Sequence, residues 1–144
     1  MIEQDTIRLL RECDAGIKMG ITSIDDVVDY VCSDRLKRSL LNSKKEHQKL
    51  QREIEKLLND YQDEGKDPSI ITTTMSWMKT KMKLIMKESD DTIADLMTEG
   101  CNMGIKSLNK YLNKYEAADE KSKDITKKLI RIEDKLSNEL REYL

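Results

Sequence analysis

Apolar side chains recur every three or four positions along most of this chain, a spacing that predicts amphipathic helices. The first helical segment extends from about Glu3 to Val31, with apolar positions at Ile7, Leu10, Ile17, Ile21, Ile24, Val28 and Val31. Ser33 and Asp34 then provide an N-cap signal for a second helix. This helix extends to about Tyr61, with Leu36, Leu40, Leu50, Ile54, Leu57 and Tyr61 on one face.

The second half of the chain repeats this arrangement after a break. Residues 63–69 contain the only proline and one of the five glycines, which predicts a turn or loop. A third helical stretch is predicted over about 71–87, and Ser89 caps a helix that extends to about Tyr115. A turn at 117–119 precedes the last helix, which has Ile125, Leu129, Ile132, Leu136, Leu140 and Tyr143 as its apolar positions. The pattern predicts two long helix pairs, 3–62 and 90–144, joined by a helical crossover over 63–89.

One short phrase is written twice, at a constant offset of 84 residues. Residues 16–24 and 100–108 both read G-x-x-M-G-I-x-S-I/L, and they contain the glycines Gly16, Gly20, Gly100 and Gly104. Because a glycine inside a helix costs roughly 1 kcal/mol relative to alanine, four of them indicate a packing reason. Small residues four apart let a neighbouring helix approach closely. The repeat predicts an internally duplicated protein whose first helix and 90–115 helix lie near a pseudo-two-fold axis.

Composition narrows the fold and the function classes. The chain has 144 residues, with 38 % charged and 4 % aromatic side chains, which favours a single all-α domain over residues 1–144. The net charge is −2, from 26 basic and 28 acidic residues, and it lacks the positive excess that is typical of a nucleic-acid-binding protein. Three cysteines without metal-binding spacing indicate reduced thiols. The N-terminus lacks a signal peptide and no apolar stretch is long enough to span a bilayer, so we expect a cytoplasmic protein.

With this helix order, crossover and repeat, the chain resembles the ferritin-like four-helix bundles, and in particular small bacterial members of uncharacterised function without a complete di-iron motif. The resemblance implies two helix hairpins joined by a long crossover. Di-iron members use a Glu-x-x-His motif on each of two helices. Here the single histidine, His47, has Lys44 three residues before it, and the last helix has Glu133 but no histidine. We therefore expect no family-type catalytic centre and no resident cofactor.

A reduced polar site remains an alternative. Superposing the second helix on the last places His47 opposite Glu133, and Asp14 lies opposite Thr98 in the glycine repeat. These residues, with Ser43, predict a polar layer inside the bundle that fixes helix register. A divalent metal ion (Fe, Mn or Zn) held by His47, Glu133 and Asp14 is the alternative role. Asp14 is about 4.5 Å out of register along the helix axis, which favours the register role.

The predicted crossover helix is basic and amphipathic. Its candidate interaction surface consists of Trp77, Met78, Lys79, Met82 and Lys83. A basic helix with an apolar face of this kind packs on its own bundle, forms the contact of a homodimer, or binds an anionic membrane surface. The leading functional expectation is a non-enzymatic protein that acts through self-association or a protein partner. Divalent metal binding around His47 and peripheral membrane association through the crossover are the alternatives.

Overall fold

The computed structural model of the chain describes residues 2–61, 63 and 89–144. These residues form four α-helices and a terminal 3₁₀ turn: α1 Ile2–Val28, α2 Asp34–Asp60, α3 Asp90–Lys114, α4 Glu120–Leu140 and the 3₁₀ turn Arg141–Tyr143. No β-strand occurs among them. α1 packs along α2, α3 packs along α4, and the two pairs meet through α2–α4, α1–α3 and α1–α4 contacts. The predicted all-α helical bundle is confirmed, and the predicted crossover helix lies outside the described residues.

The starts of α2 and α4 are fixed by capping side chains, of which Ser33 is predicted from the sequence and Asp119 is not, whereas Ser89, the predicted cap of α3, forms no capping hydrogen bond through its side chain. The Ser33 hydroxyl accepts a hydrogen bond from the Leu36 amide at 3.2 Å. At the start of α4, the Asp119 carboxylate accepts one from the Ser122 amide at 2.8 Å. Each cap satisfies an amide that has no partner within its helix. α1 ends at Val28 rather than Val31, because a tight turn through Tyr30 must reach the Ser33 cap.

The turn of each hairpin is held by the first residues of a helix in the other hairpin. Asp90 accepts hydrogen bonds from the Cys32 and Ser33 amides, at 2.8 and 2.9 Å. At the opposite turn, the Asp119 amide donates to the Thr6 hydroxyl at 2.9 Å, and the Ala117 amide donates to Asp5 at 3.2 Å. These reciprocal contacts place the start of α3 beside the α1–α2 turn, and the start of α1 beside the α3–α4 turn.

This placement determines the end of the bundle at which α2 ends and the end at which α3 begins. α2 starts beside the α1–α2 turn and, with 27 residues, is about 40 Å long. Its last residues therefore lie at the far end of the bundle from Asp90. α2 therefore ends at one end of the bundle, and α3 begins at the other.

The interior consists of two apolar clusters, one toward each end of the bundle. The cluster beside the α1–α2 turn includes Ile24, Leu36, Leu40, Ile93, Leu136 and Leu140. The cluster toward the other end includes Leu10, Ile17, Leu50, Ile54, Ile125 and Leu129. His47 is only 1 % exposed and belongs to neither cluster. Its position in α2, between Leu40 and Leu50, places a polar layer at the junction of the two apolar halves.

Replacing Asp90 with alanine is expected to lower the free energy of unfolding by about 1–2 kcal/mol, because two backbone amides lose a charged acceptor. Asp91→Ala is the matched control, since Asp91 lies in the same first turn but bonds only to Ser89 and Thr92. Urea unfolding measures both. Equal losses in the two variants would show that the tether between the hairpins contributes nothing.

Candidate functional site

A cleft opens between α1 and α3, with its floor formed by α2 and α4. Its volume is about 80 Å³, and it is lined by Gly16, Met19, Gly20, Ser23, Ile24, His47, Met97, Gly100, Cys101, Met103, Gly104, Glu133 and Leu136. All four glycines of the repeated phrase are among these residues. The two copies of the phrase therefore form the facing walls of one cleft.

The glycines differ in what a side chain at each position would meet. A Cβ atom at Gly20 would lie 2.8 Å from Nε2 of His47, which is too close for any real contact. At Gly16 and Gly104 the nearest neighbours, atoms of Leu129 and Glu133, would be at an ordinary 3.8 Å. At Gly100 no heavy atom lies within 4 Å. Gly20 thus has a close neighbour, which is the His47 side chain rather than the backbone of a facing helix, whereas Gly100 borders open space.

The floor of the cleft is a hydrogen-bonded pair from α2 and α4. Nε2 of His47 lies 2.7 Å from Oε1 of Glu133, and Nδ1 lies 2.7 Å from the carbonyl oxygen of Ser43. A carbonyl oxygen can only accept, so Nδ1 carries a proton and donates it to Ser43. One further proton is shared between Nε2 and the Glu133 carboxylate. The pair is therefore an imidazolium with a carboxylate, or a neutral imidazole with a carboxylic acid.

The surroundings favour the charged imidazolium. Burial lowers the pKa of His47. The hydrogen bond and negative charge of Glu133, together with the Ser43 carbonyl, raise it by a larger amount. The net effect is a pKa above the ordinary value of about 6.5. Because the folded-state pKa is raised, the stabilisation is complete below the unfolded-state pKa. It is lost as the pH rises through the folded-state value.

Cys101 lines the same cleft as an unreactive thiol. Burial raises its pKa strongly, and the nearby Glu133 carboxylate, which accepts a hydrogen bond from the thiol, raises it further. A thiol in such surroundings does not ionise near neutral pH and is a poor nucleophile. The cleft therefore contains a proton-sharing pair without an activated nucleophile.

Only part of the predicted polar layer comes together. Ser43, His47 and Glu133 are in contact, but the Asp14 carboxylate forms an ion pair with Lys18 on its own helix at 2.7 Å. Its other oxygen, Oδ1, is buried without a hydrogen-bond partner, as is the Thr98 hydroxyl. Within residues 2–61, 63 and 89–144, no group of three His, Cys, Asp or Glu side chains is placed to hold a metal ion.

The remaining predicted site residues, Trp77, Met78, Lys79, Met82 and Lys83, lie outside the described residues. Sequence reasoning missed the cleft itself and its walls of Met19, Met97, Met103 and Cys101. The signal was present, since both methionines of the repeated phrase, Met19 and Met103, line the cleft. Spacing alone does not tell whether facing helices close over small residues or leave space between them.

Comparison of the chain with protein-family models, with curated proteins and with solved structures found no match in any of the three. In the described part of the chain, no helix is both long and apolar enough to cross a membrane.

Proposed function

We propose that this protein is a non-enzymatic binding protein, and that the cleft between α1 and α3 binds a small, mainly apolar ligand. The observation that carries this proposal is the open space at Gly100. A glycine inside a helix costs about 1 kcal/mol relative to alanine, and alanine would fit here without a clash. Stabilising substitutions are costly where function needs a destabilised site, and we infer that Gly100 is retained because it keeps the cleft open for a ligand.

The size and lining of the cleft define its occupant. A space of about 80 Å³ holds a group of a few heavy atoms, whereas a helix is about 10 Å wide. Its walls are apolar, and Met103 at the cleft is 50 % exposed. Methionine side chains adapt their shape to different apolar groups. A small molecule therefore fits the cleft better than a helix of a partner protein.

The chemistry of the floor favours binding over catalysis. Both ring nitrogens of His47 are engaged, by Ser43 and Glu133, so the imidazole has no free nitrogen to act as a base toward a ligand. The adjacent Cys101 thiol is held protonated. Nucleophilic catalysis needs an activated nucleophile beside a base, and the cleft provides neither.

Divalent metal binding is the second candidate function, because His47 and Glu133 lie side by side and a metal ion could replace the proton that they share. These two side chains would supply a nitrogen and a carboxylate ligand to Fe, Mn or Zn. Asp14, the third proposed ligand, is paired with Lys18 instead. Near-stoichiometric uptake of one of these ions, abolished by His47→Ala, would support a metal site over the ligand cleft.

The finer assignment of the fold is also a proposal. A ferritin-like arrangement of two duplicated hairpins is supported by the opposite positions of Tyr61 and Asp90 and by the reciprocal tethers of the two turns.

Cytoplasmic location, self-association through Trp77 and membrane binding through the basic 77–87 segment remain predictions from sequence. A dimer that Trp77→Ala weakens would support self-association. Salt-sensitive pelleting with anionic vesicles would support membrane binding.

The ligand cleft is tested by titrating isobutanol and benzene into protein with ¹³C-labelled methionine methyl groups. Met19, Met97 and Met103 line the cleft, so their methyl resonances are expected to shift together and to saturate. Dissociation constants of about 1–10 mM are expected for ligands this small. No saturable shift at these three methionines would overturn the proposed function.

A matched pair of variants locates the binding. Gly100→Met fills the open space of the cleft, whereas Asn102→Met adds the same side chain at an exposed position of α3. We expect the first variant to abolish the shifts of Met97 and Met103 and the second to leave them unchanged. Equal binding by both variants would place the ligand elsewhere on the protein.

A further inference from the structure

The polar side chains that line the cleft are not equally available to a ligand. The Ser23 hydroxyl donates to the Met19 carbonyl oxygen at 2.8 Å. His47 is 1 % exposed, and its ring nitrogens are engaged by Ser43 and Glu133. The Glu133 side chain is 12 % exposed, so of the two partners in the pair Glu133 presents the larger surface to solvent.

The repeated glycines place this carboxylate at the cleft surface. A Cβ atom at Gly20 would lie 3.6 Å from Oε1 of Glu133, and one at Gly104 would lie 3.8 Å from Oε2. Gly20 and Gly104 are the equivalent second glycines of the two phrases. The carboxylate therefore lies between one glycine of α1 and one of α3, where side chains on both helices would otherwise cover it.

The carboxylate has capacity for a further hydrogen bond. An ionised carboxylate accepts about four hydrogen bonds. Glu133 accepts one from His47 at Oε1 and one from the Cys101 thiol. The imidazolium that balances its charge is the more deeply buried partner, so the cleft presents the negative member of the pair.

From this geometry we propose that the ligand is a small primary amine in its protonated form, with its apolar body between the methionines and its ammonium group on the Glu133 carboxylate. This inference rests on the proposed function, since it specifies the ligand of the same cleft. An ammonium group supplies three donors and a charge complementary to the carboxylate. Hydrogen bonds between charged groups are roughly twice as strong as those between neutral groups. A carboxylate ligand of the same shape would be repelled.

An isosteric series tests the head group: isobutylamine, isobutanol and isobutyrate, titrated at pH 7 and followed by the methyl shifts of Met97 and Met103. We expect isobutylamine to bind about tenfold more tightly than isobutanol, and isobutyrate more weakly than either. Isobutanol binding as tightly as isobutylamine would overturn the amine assignment and leave the ligand cleft standing. Failure of all three compounds to shift these methionines would overturn the proposed function as well.

Glu133→Gln isolates the contribution of the charge. The glutamine keeps an oxygen that can accept from His47, so the floor retains its hydrogen bond while the negative charge is removed. The preference for isobutylamine over isobutanol is expected to fall to about one. Asp134→Asn is the matched control, because it removes one charge from an adjacent exposed position of α4 and should keep the preference. A preference that survives Glu133→Gln would overturn the proposed contact.

Discussion

Glu133→Met is expected to lower the free energy of unfolding by about 3 kcal/mol, which is a large part of the stability of a small domain. Methionine resembles glutamate in length but cannot accept the hydrogen bond from Nε2 of His47. The histidine is 1 % exposed, so its imidazolium would lose its partner without gaining water. Removing one partner of a buried pair leaves the other charge uncompensated, and this penalty dominates the loss.

The double variant His47→Leu/Glu133→Met distinguishes a paired charge from simple loss of packing. Replacing both partners with apolar side chains of similar size is often neutral or stabilising. We therefore expect the double variant to unfold at a higher urea concentration than Glu133→Met alone. Losses that simply add in the double variant would show that the two side chains are not energetically coupled.

The pH dependence of the same variants gives an independent test of the charge state. The wild-type protein is expected to lose stability relative to the double variant as the pH rises above the ordinary histidine value of about 6.5, because the folded protein then gives up its proton only at the raised pKa of His47. A difference in stability that does not change with pH would show that His47 is not protonated in the folded protein.

Alanine substitutions at Gly20 and Gly100 are expected to have opposite effects on stability. At Gly20 the new methyl group would lie 2.8 Å from Nε2 of His47, whose ring is held by two hydrogen bonds. The strain of displacing that ring, typically 1–3 kcal/mol for overpacking, exceeds the gain of about 1 kcal/mol in helix propensity. At Gly100 only the gain applies, because no atom lies within 4 Å.

Thermal or urea unfolding of the two variants measures this contrast, which equals the strain at Gly20 because the propensity gain is common to both, and which we expect to be about 1–3 kcal/mol. Gly16→Ala and Gly104→Ala are intermediate controls, since their methyl groups would meet neighbours at an ordinary 3.8 Å. If Gly100→Ala destabilises the protein as much as Gly20→Ala does, the space beside Gly100 is not open in solution.

Much of the fold follows from the sequence for local reasons. Apolar spacing places the core residues of α2 and α4, and the Ser33 side chain caps α2 as expected, whereas Asp119, predicted only as part of a turn, proves to be the cap of α4. The contact between His47 and Glu133 also follows, because superposing the second helix on the last aligns them across the interior. Spacing and caps act within a few residues, which is why they can be recognised in a single sequence.

The cleft did not follow from the sequence, because it depends on the distance between two helices. The repeated glycines predicted that a neighbouring helix approaches closely. A close neighbour occurs at Gly20, where it is the His47 side chain, but not at Gly100. Which glycine meets a neighbour is determined by how the side chains of α2 and α4 fill the floor. The outcome at Asp14 has a different, local reason: Lys18, four residues later on the same helix, pairs with it, and this spacing is visible in the sequence.

The most direct test of the ligand cleft is to measure unfolding and ligand binding together on Gly100→Met. We expect this variant to be at least as stable as the wild-type protein, because the added side chain enters open space. We also expect that isobutylamine no longer shifts the methyl resonances of Met97 and Met103. A variant that is as stable as the wild type and still binds isobutylamine equally well would contradict the account.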